Sequence, residues 1–323
     1  PEQAAAERDS HPQVLLHARL LAQLEVINPQ VPLATLEQVA QQIAKAENPI
    51  LNKNNRAFYK LLLEGVKVEY KDAQGVEKID YVHLVDFTKV SNNQFLVVNQ
   101  FTITGSKRNR RPDLLVFING IPMAIIELKN PKDEQADIWS AYQQLQTYKE
   151  ELSDLFIFNQ ALIISDGVEA RLGSLTANKE RFQPWRVIKN EKDRPNDKLE
   201  LETLVRGFFE PAYLLDFVQN FILFEEDESG DLIKKIAGYH QFHAVRAAVQ
   251  STILARKTGT STEGALDEVA EKSVLYSVPD ANSNKRLPAS IYQGELAQIE
   301  LASGKAGVVW HTQGSGKSIS MLC

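Results

Sequence analysis

The sequence predicts an α/β chain of two domains, and three observations predict it. Helix-patterned segments and alternating, β-branched runs share the stretch 11–188. Within it two apolar runs, 113–118 and 122–129, are joined by Asn119-Gly120 and carry Asp113, Glu127 and Lys129 at their polar ends. Near the end of the chain, Val308-Val309-Trp310-His311-Thr312-Gln313-Gly314-Ser315-Gly316-Lys317-Ser318 reads as a strand, a glycine-rich loop and the start of a helix. A length of 323 residues also favours two domains over one core.

Residues 11–65 are helical in pattern, with turns at Asn28-Pro29 and Asn48-Pro49, a third helix over Asn54–Glu64 and a stop at Gly65. Strands are expected at Val66–Tyr70, Ile79–Phe87 and Phe95–Thr104, then at 113–118 and 122–129. A long helix over Asp133–Leu152 follows, then short strands at Ala161–Ser165, Glu169–Leu172 and Trp185–Ile188. The polar segment Lys189–Glu200, with Pro195 inside it, is the linker candidate and sets the domains at 1–195 and 196–323. Helices are expected from Leu201 to about Phe224 and over Tyr239–Arg256, with a long surface loop at 258–288.

Composition narrows the function classes. Hydrophobic residues make up 43% of the chain and charged residues 24%, and no uninterrupted apolar stretch approaches the ~20 residues of a membrane helix. The first ten residues lack the basic start and apolar centre of a signal peptide. Cys323 is the single cysteine, so no internal disulfide can form, which fits a cytoplasmic location. A net charge of −6 argues against coating nucleic acid by bulk electrostatics. Between Gly105 and Lys132, however, Lys107, Arg108, Arg110, Arg111, Lys129 and Lys132 face only Asp113 and Glu127. This basic run reads either as a solvated loop or as a contact to DNA phosphates leading into the acidic pair.

Glu127 and Lys129 are two apart on a strand, so both leave the same face. Carboxylates of Asp113 and Glu127, with the Leu128 carbonyl as a third donor, suit Mg²⁺, which keeps waters at its other positions. Lys129 then sits where it can orient a water and offset phosphate charge. Register matters here. A plain two-residue hairpin at Asn119-Gly120 pairs Asp113 with Ile126 and sends it to the wrong face; a three-residue connection with a bulge pairs it with Glu127. Gln144 and Tyr148 stand at i and i+4 on the next helix, a spacing that an amphipathic helix with a core tyrosine also produces. Glu64 reads as a solvated helix end in preference to a further metal contact.

In the second motif, backbone N–H groups of Gly314, Ser315 and Gly316 can curl round phosphates, Lys317 supplies charge and Ser318 a hydroxyl for Mg²⁺. His311 stands where the strict pattern has Gly.

Pro112-Asp113, the apolar strands, Glu127-Leu128-Lys129-Asn130-Pro131 and then Gln144-Leu145-Gln146-Thr147-Tyr148 together resemble the nuclease domain of the restriction (R) subunit of type I restriction-modification enzymes, members of the PD-(D/E)xK superfamily. The resemblance implies a mixed sheet flanked by helices, a catalytic role for Asp113, Glu127 and Lys129, and a supporting role for Gln144 and Tyr148. The phosphate-loop segment is similar to that of R subunits, whose motors are superfamily 2 translocases with RecA-like lobes. Tyr239-His240-Gln241 resembles the element that reads adenine through Gln241, which on its own reads as a surface side chain.

The implied cofactors are Mg²⁺ and ATP. Implied partners are double-stranded DNA and the methyltransferase (modification) and specificity subunits. With few residues after Ser318, the sequence is expected to be the front portion of a longer polypeptide and to lack ATPase activity by itself. Two alternatives share these motifs: a nuclease–helicase fusion of DNA repair or another defence system, and a nucleotide-gated DNA-binding module with an inactive nuclease fold.

Overall fold

The computed structural model describes residues 8, 10–105, 108–130, 137–189 and 199–256. The chain divides into two compact units, one running to Gln183 and taking in Ile222–Ile236, the other holding Pro184–Phe221 and the residues from Ala237 onward.

Among the described residues, three helices open the first unit: α1 (His17–Ile27), α2 (Leu33–Ile43) and α3 (Leu51–Glu64). Gly65 ends α3 at φ 84°, its N–H bonded to the Leu61 carbonyl, a conformation that glycine adopts without Cβ strain. Glu64 is exposed and pairs with Lys60, which makes it the solvated helix end expected of it. Strands β1 (Val66–Lys71) and β2 (Glu77–Val82) form a hairpin closed by Asp72, whose Oδ1 accepts from the Gln74 and Val76 N–H groups. β2 ends sooner than the expected Phe87, because the Asn28 side chain takes both backbone groups of His83, accepting from its N–H and donating to its carbonyl, and Asp86 then bends the chain by accepting from the Thr88 and Lys89 N–H groups.

The central sheet is mixed and has the order β3-β6-β7-β8-β9, from Phe95–Asn99, Leu114–Ile118, Ile121–Leu128, Ala161–Ser165 and Ala170–Gly173. Among the described residues its one parallel pair is β7 with β8, linked through helix α4 (Ile138–Glu151) and the short α5 (Ser153–Phe156). β7 is covered on both faces, and each fully buried isoleucine such as Ile121 or Ile125 contributes roughly 1.5–3 kcal/mol relative to exposure. α4 packs on β7 and β8 and starts at Asp137, whose side chain accepts from the Ser140 N–H. The expected strand Phe95–Thr104 is broken at Gln100, where φ is 53°, and resumes as β4 (Ile103–Thr104), paired with β5 (Asn109–Arg110).

β6 and β7 are joined by a two-residue turn with positive φ at Asn119 (53°) and Gly120 (79°). The expected three-residue connection is therefore wrong, but the expected bulge is present, between Val116 and Phe117 on β6 opposite the extra residue Met123. Asn119 is buried, donating to the Leu84 carbonyl and Asn93 Oδ1. A Cβ at Gly120 would lie 2.6 Å from the Leu16 carbonyl oxygen, so α1 seals this turn only because the residue is glycine.

Helices over the whole of Leu201–Phe224 were expected; the chain instead forms α6 (Glu200–Phe208), α7 (Pro211–Asn220) and β10 (Ile222–Glu226), which pairs with β11 (Leu232–Ile236). Asp227 builds the hairpin turn by accepting from Ser229 and Asp231, with Gly230 at φ 81°. Lys234 anchors the hairpin in the first unit. It is 1% exposed, and its Nζ donates to Asn55 Oδ1 at 3.0 Å, the Asn159 carbonyl at 2.6 Å and Gln160 Oε1 at 2.8 Å. Burial among neutral acceptors holds its pKa well below that of an ordinary lysine.

In the second unit Trp185–Ile188 forms no strand. Trp185 is buried by aromatic neighbours, Phe208 at 5.2 Å and Phe242 at 5.4 Å between ring centroids, so its apolar character serves a ring cluster and not a sheet. Helix α8 (Tyr239–Arg256) matches its expected limits, and its buried Arg246 pairs with Asp216 on α7.

Candidate active site

The bulge sets the site. With Leu114 opposite Ile126, the next positions outward are Asp113 and Glu127. Asp113 is partly exposed and is held at both oxygens: Oδ2 accepts from the Leu128 N–H at 2.9 Å and Oδ1 from Gln100 Nε2 at 2.8 Å. Glu127 is 1% exposed; its Oε1 lies 3.4 Å from Lys129 Nζ, while its buried Oε2 has no hydrogen-bond partner among the described residues. Lys129 is fixed at its backbone by an N–H bond to the Ser165 carbonyl of β8, and its ammonium donates to Gln144 Oε1. Gln144 Nε2 donates in turn to the Tyr148 hydroxyl at 2.6 Å. All five residues singled out from this part of the sequence therefore fall in one array, and the Gln144–Tyr148 spacing serves both a core tyrosine and a polar relay.

The array is short of positive charge. Burial, and then the neighbouring Asp113 charge, push the Glu127 carboxyl up to about 8, against the opposing pull of Lys129. Burial likewise pushes the Tyr148 phenol up to about 12, so it remains a neutral donor and acceptor at Gln144. An unpartnered buried carboxylate oxygen beside a second carboxylate is what a divalent cation would satisfy. Among the described residues no group of three or more His, Cys, Asp or Glu could hold a metal, but Mg²⁺ needs only one or two carboxylates with waters.

This electrostatic arrangement has a sign. A carboxyl whose folded pKa, about 8, exceeds its usual 4.5 favours folding most below the lower value, and that contribution is lost as pH rises through the higher one. Urea denaturation of cation-free protein at about pH 5 and about pH 8 is expected to show a stability loss at the higher pH that is smaller in Glu127→Gln. An equal loss in both proteins would show that Glu127 is not the group responsible.

Gln100 and the Leu128 amide are functional neighbours that sequence reasoning missed. The polar pair Asn99-Gln100 inside an apolar run was the available signal for a break. Arg110, within the basic run, is committed elsewhere: its Nε binds Glu151 Oε2 at 2.5 Å, tying β5 to the end of α4. Arg108 and Arg111 are exposed, and Lys107 and Lys132 lie outside the described residues. Gln241 is 5% exposed, not a surface side chain, and its Oε1 accepts from the Gly238 N–H at 2.7 Å. Gly314, Ser315, Gly316, Lys317 and Ser318 lie outside the described residues.

The family model described as "Type I restriction enzyme R protein N terminus" matches residues 1–181. The chain belongs to this family. That match contains the whole Asp113–Tyr148 array, and a second, described as "SWI2/SNF2 ATPase", covers residues 240–323. Over 92% of its length the chain is 43% identical to the type I restriction enzyme HindI endonuclease subunit of Haemophilus influenzae, covering 24% of that protein. Over 98% it is 32% identical to the putative type I restriction enzyme MjaIXP endonuclease subunit of Methanocaldococcus jannaschii, covering 28% of it. The chain thus spans about a quarter of the length of these curated relatives. Among the described residues no helix is long and apolar enough to cross a membrane.

Proposed function

We propose that the first unit is the PD-(D/E)xK-type nuclease of a type I restriction R subunit, hydrolysing DNA phosphodiesters with Mg²⁺, and that the residues from about 240 begin a RecA-like, ATP-driven motor. The observation that carries this reading is the Asp113–Glu127 pair with Lys129 clamped beside it by Gln144. Bound Mg²⁺ would supply Lewis-acid charge to the scissile phosphate and an activated water.

The chain's own residues do the positioning. Asp113 and Glu127 present carboxylate oxygens to the cation, and the bulge at Met123 keeps them in register. Lys129 cannot swing freely, because Gln144 accepts one of its protons while Tyr148 fixes the Gln144 amide. Its ammonium can therefore offset charge on the attacked phosphate without a loss of side-chain freedom at the moment of reaction. Exposed Arg108 and Arg111, just ahead of Asp113, suit DNA phosphates.

Choice of DNA site would belong to the specificity and methyltransferase subunits, and ATP-driven translocation would bring DNA to the nuclease. The test is partner dependence. The complete R subunit, with Mg²⁺ and ATP, is expected to cut unmethylated plasmid only when methyltransferase and specificity subunits are added. Efficient cutting by the R subunit alone, indifferent to methylation, would replace this reading with a self-sufficient nuclease–helicase.

A further inference from the structure

Gln100 interrupts a strand at a cost. A non-glycine residue at φ 53° is strained by its Cβ, and such strain persists where the surroundings use it. Here the residue is pinned on three sides. Its N–H donates to the Asp113 carbonyl at 2.8 Å and its side-chain amide to Asp113 Oδ1 at 2.8 Å. The next residue, Phe101, is buried, packs edge-on against Phe117 at 5.5 Å and has the Arg8 guanidinium 3.8 Å above its ring. The bend therefore delivers an exposed side chain to one destination, the carboxylate of Asp113.

We infer that Gln100 is a positioning residue that aims the Asp113 carboxylate at a divalent cation shared with Glu127. This inference rests on the reading of those two acids as cation ligands. A carboxylate has about four lone-pair sites; the Leu128 N–H and the Gln100 amide take one on each oxygen and fix its plane, leaving the others for the cation. The neutrality of the amide matters as much as its reach. A lysine or arginine in its place would neutralise Asp113 and compete with the cation, whereas an amide orients the carboxylate and leaves its charge in place.

The test uses the complete R subunit, free of nucleotide, with Mn²⁺ binding followed by titration calorimetry and the Mg²⁺ dependence of cleavage measured with the partner subunits. Gln100→Gly relieves the positive φ and is expected to keep or raise the thermal midpoint, yet to weaken Mn²⁺ binding about tenfold. Cleavage by that variant should need correspondingly more Mg²⁺ and approach the wild-type rate at saturation, a pattern that simple loss of structure does not produce. Gln100→Lys should weaken Mn²⁺ binding further. Asp113→Asn serves as the reference and should lose Mn²⁺ binding at this site. Wild-type Mn²⁺ affinity in Gln100→Gly and Gln100→Lys, with affinity lost in Asp113→Asn, would overturn the inference and leave the ligand reading standing. Wild-type affinity in Asp113→Asn would overturn both.

Discussion

Glu127→Ala in the complete R subunit is expected to lower DNA cleavage by at least about a thousandfold while ATP hydrolysis and translocation persist. The side chain removed is the buried one whose Oε2 has no partner among the described residues, so on the reading of Glu127 as a cation ligand its loss removes that ligand at the cost of the contacts from Lys129 and the Asp113 backbone. Removing a buried carboxyl that burial and Asp113 push toward protonation also relieves the cation-free fold near neutral pH. The variant should consequently be well folded and inactive. Asp113→Ala and Lys129→Ala should lose cleavage as well. Cleavage and ATP turnover measured on the same preparations decide the matter, and wild-type cutting by Glu127→Ala would refute the site.

Lys317→Ala is expected to act from the opposite direction. The phosphate loop needs its lysine for the β- and γ-phosphates, so the complete protein should lose ATP turnover and translocation by a factor of about a hundred or more, and with them the cutting of unmethylated DNA. Its Mn²⁺ binding at Asp113 and Glu127 should be unchanged. Retained DNA-stimulated ATP turnover in Lys317→Ala would refute the assignment of the loop, which rests on its sequence and on the SWI2/SNF2 match over 240–323.

Local periodicity made most of the first unit legible. Gly65, Asn119-Gly120 and the alternating runs after them marked element ends to within a few residues, because glycine, asparagine and β-branched residues have strong backbone preferences. The register of β6 and β7 was legible too, but through chemistry: two acids on one face required a bulge, and the bulge is there, although in the strand and not in the connection. What escaped was set by tertiary contacts. Trp185–Ile188, one aromatic followed by the β-branched Val187 and Ile188, looks like a strand until Phe208 and Phe242 are seen to surround Trp185. The hairpin Ile222–Ile236 was hidden because its register is fixed far away in sequence, by Lys234 reaching Asn55 and Gln160. Gln100 escaped for the same reason, since nothing local to residue 100 announces Asp113 as its target.

The lysine at 234 also decides where this protein can be divided. A shortened chain stopping at Gln183, or anywhere in the polar stretch after it, would keep Asn55, the Asn159 carbonyl and Gln160 but lose the ammonium that satisfies all three. Asn55 would still hold the carbonyls of Phe156, Ile157 and Asn159 with its own amide, but Asn55 Oδ1 and Gln160 Oε1 would be left without the donor they face. The first compact unit is discontinuous in sequence, and a shortened chain that keeps Lys234 must run to Ile236 and carry the intervening α6 and α7 with it. A boundary drawn in the polar stretch after Gln183 would therefore pass through the fold of the first unit.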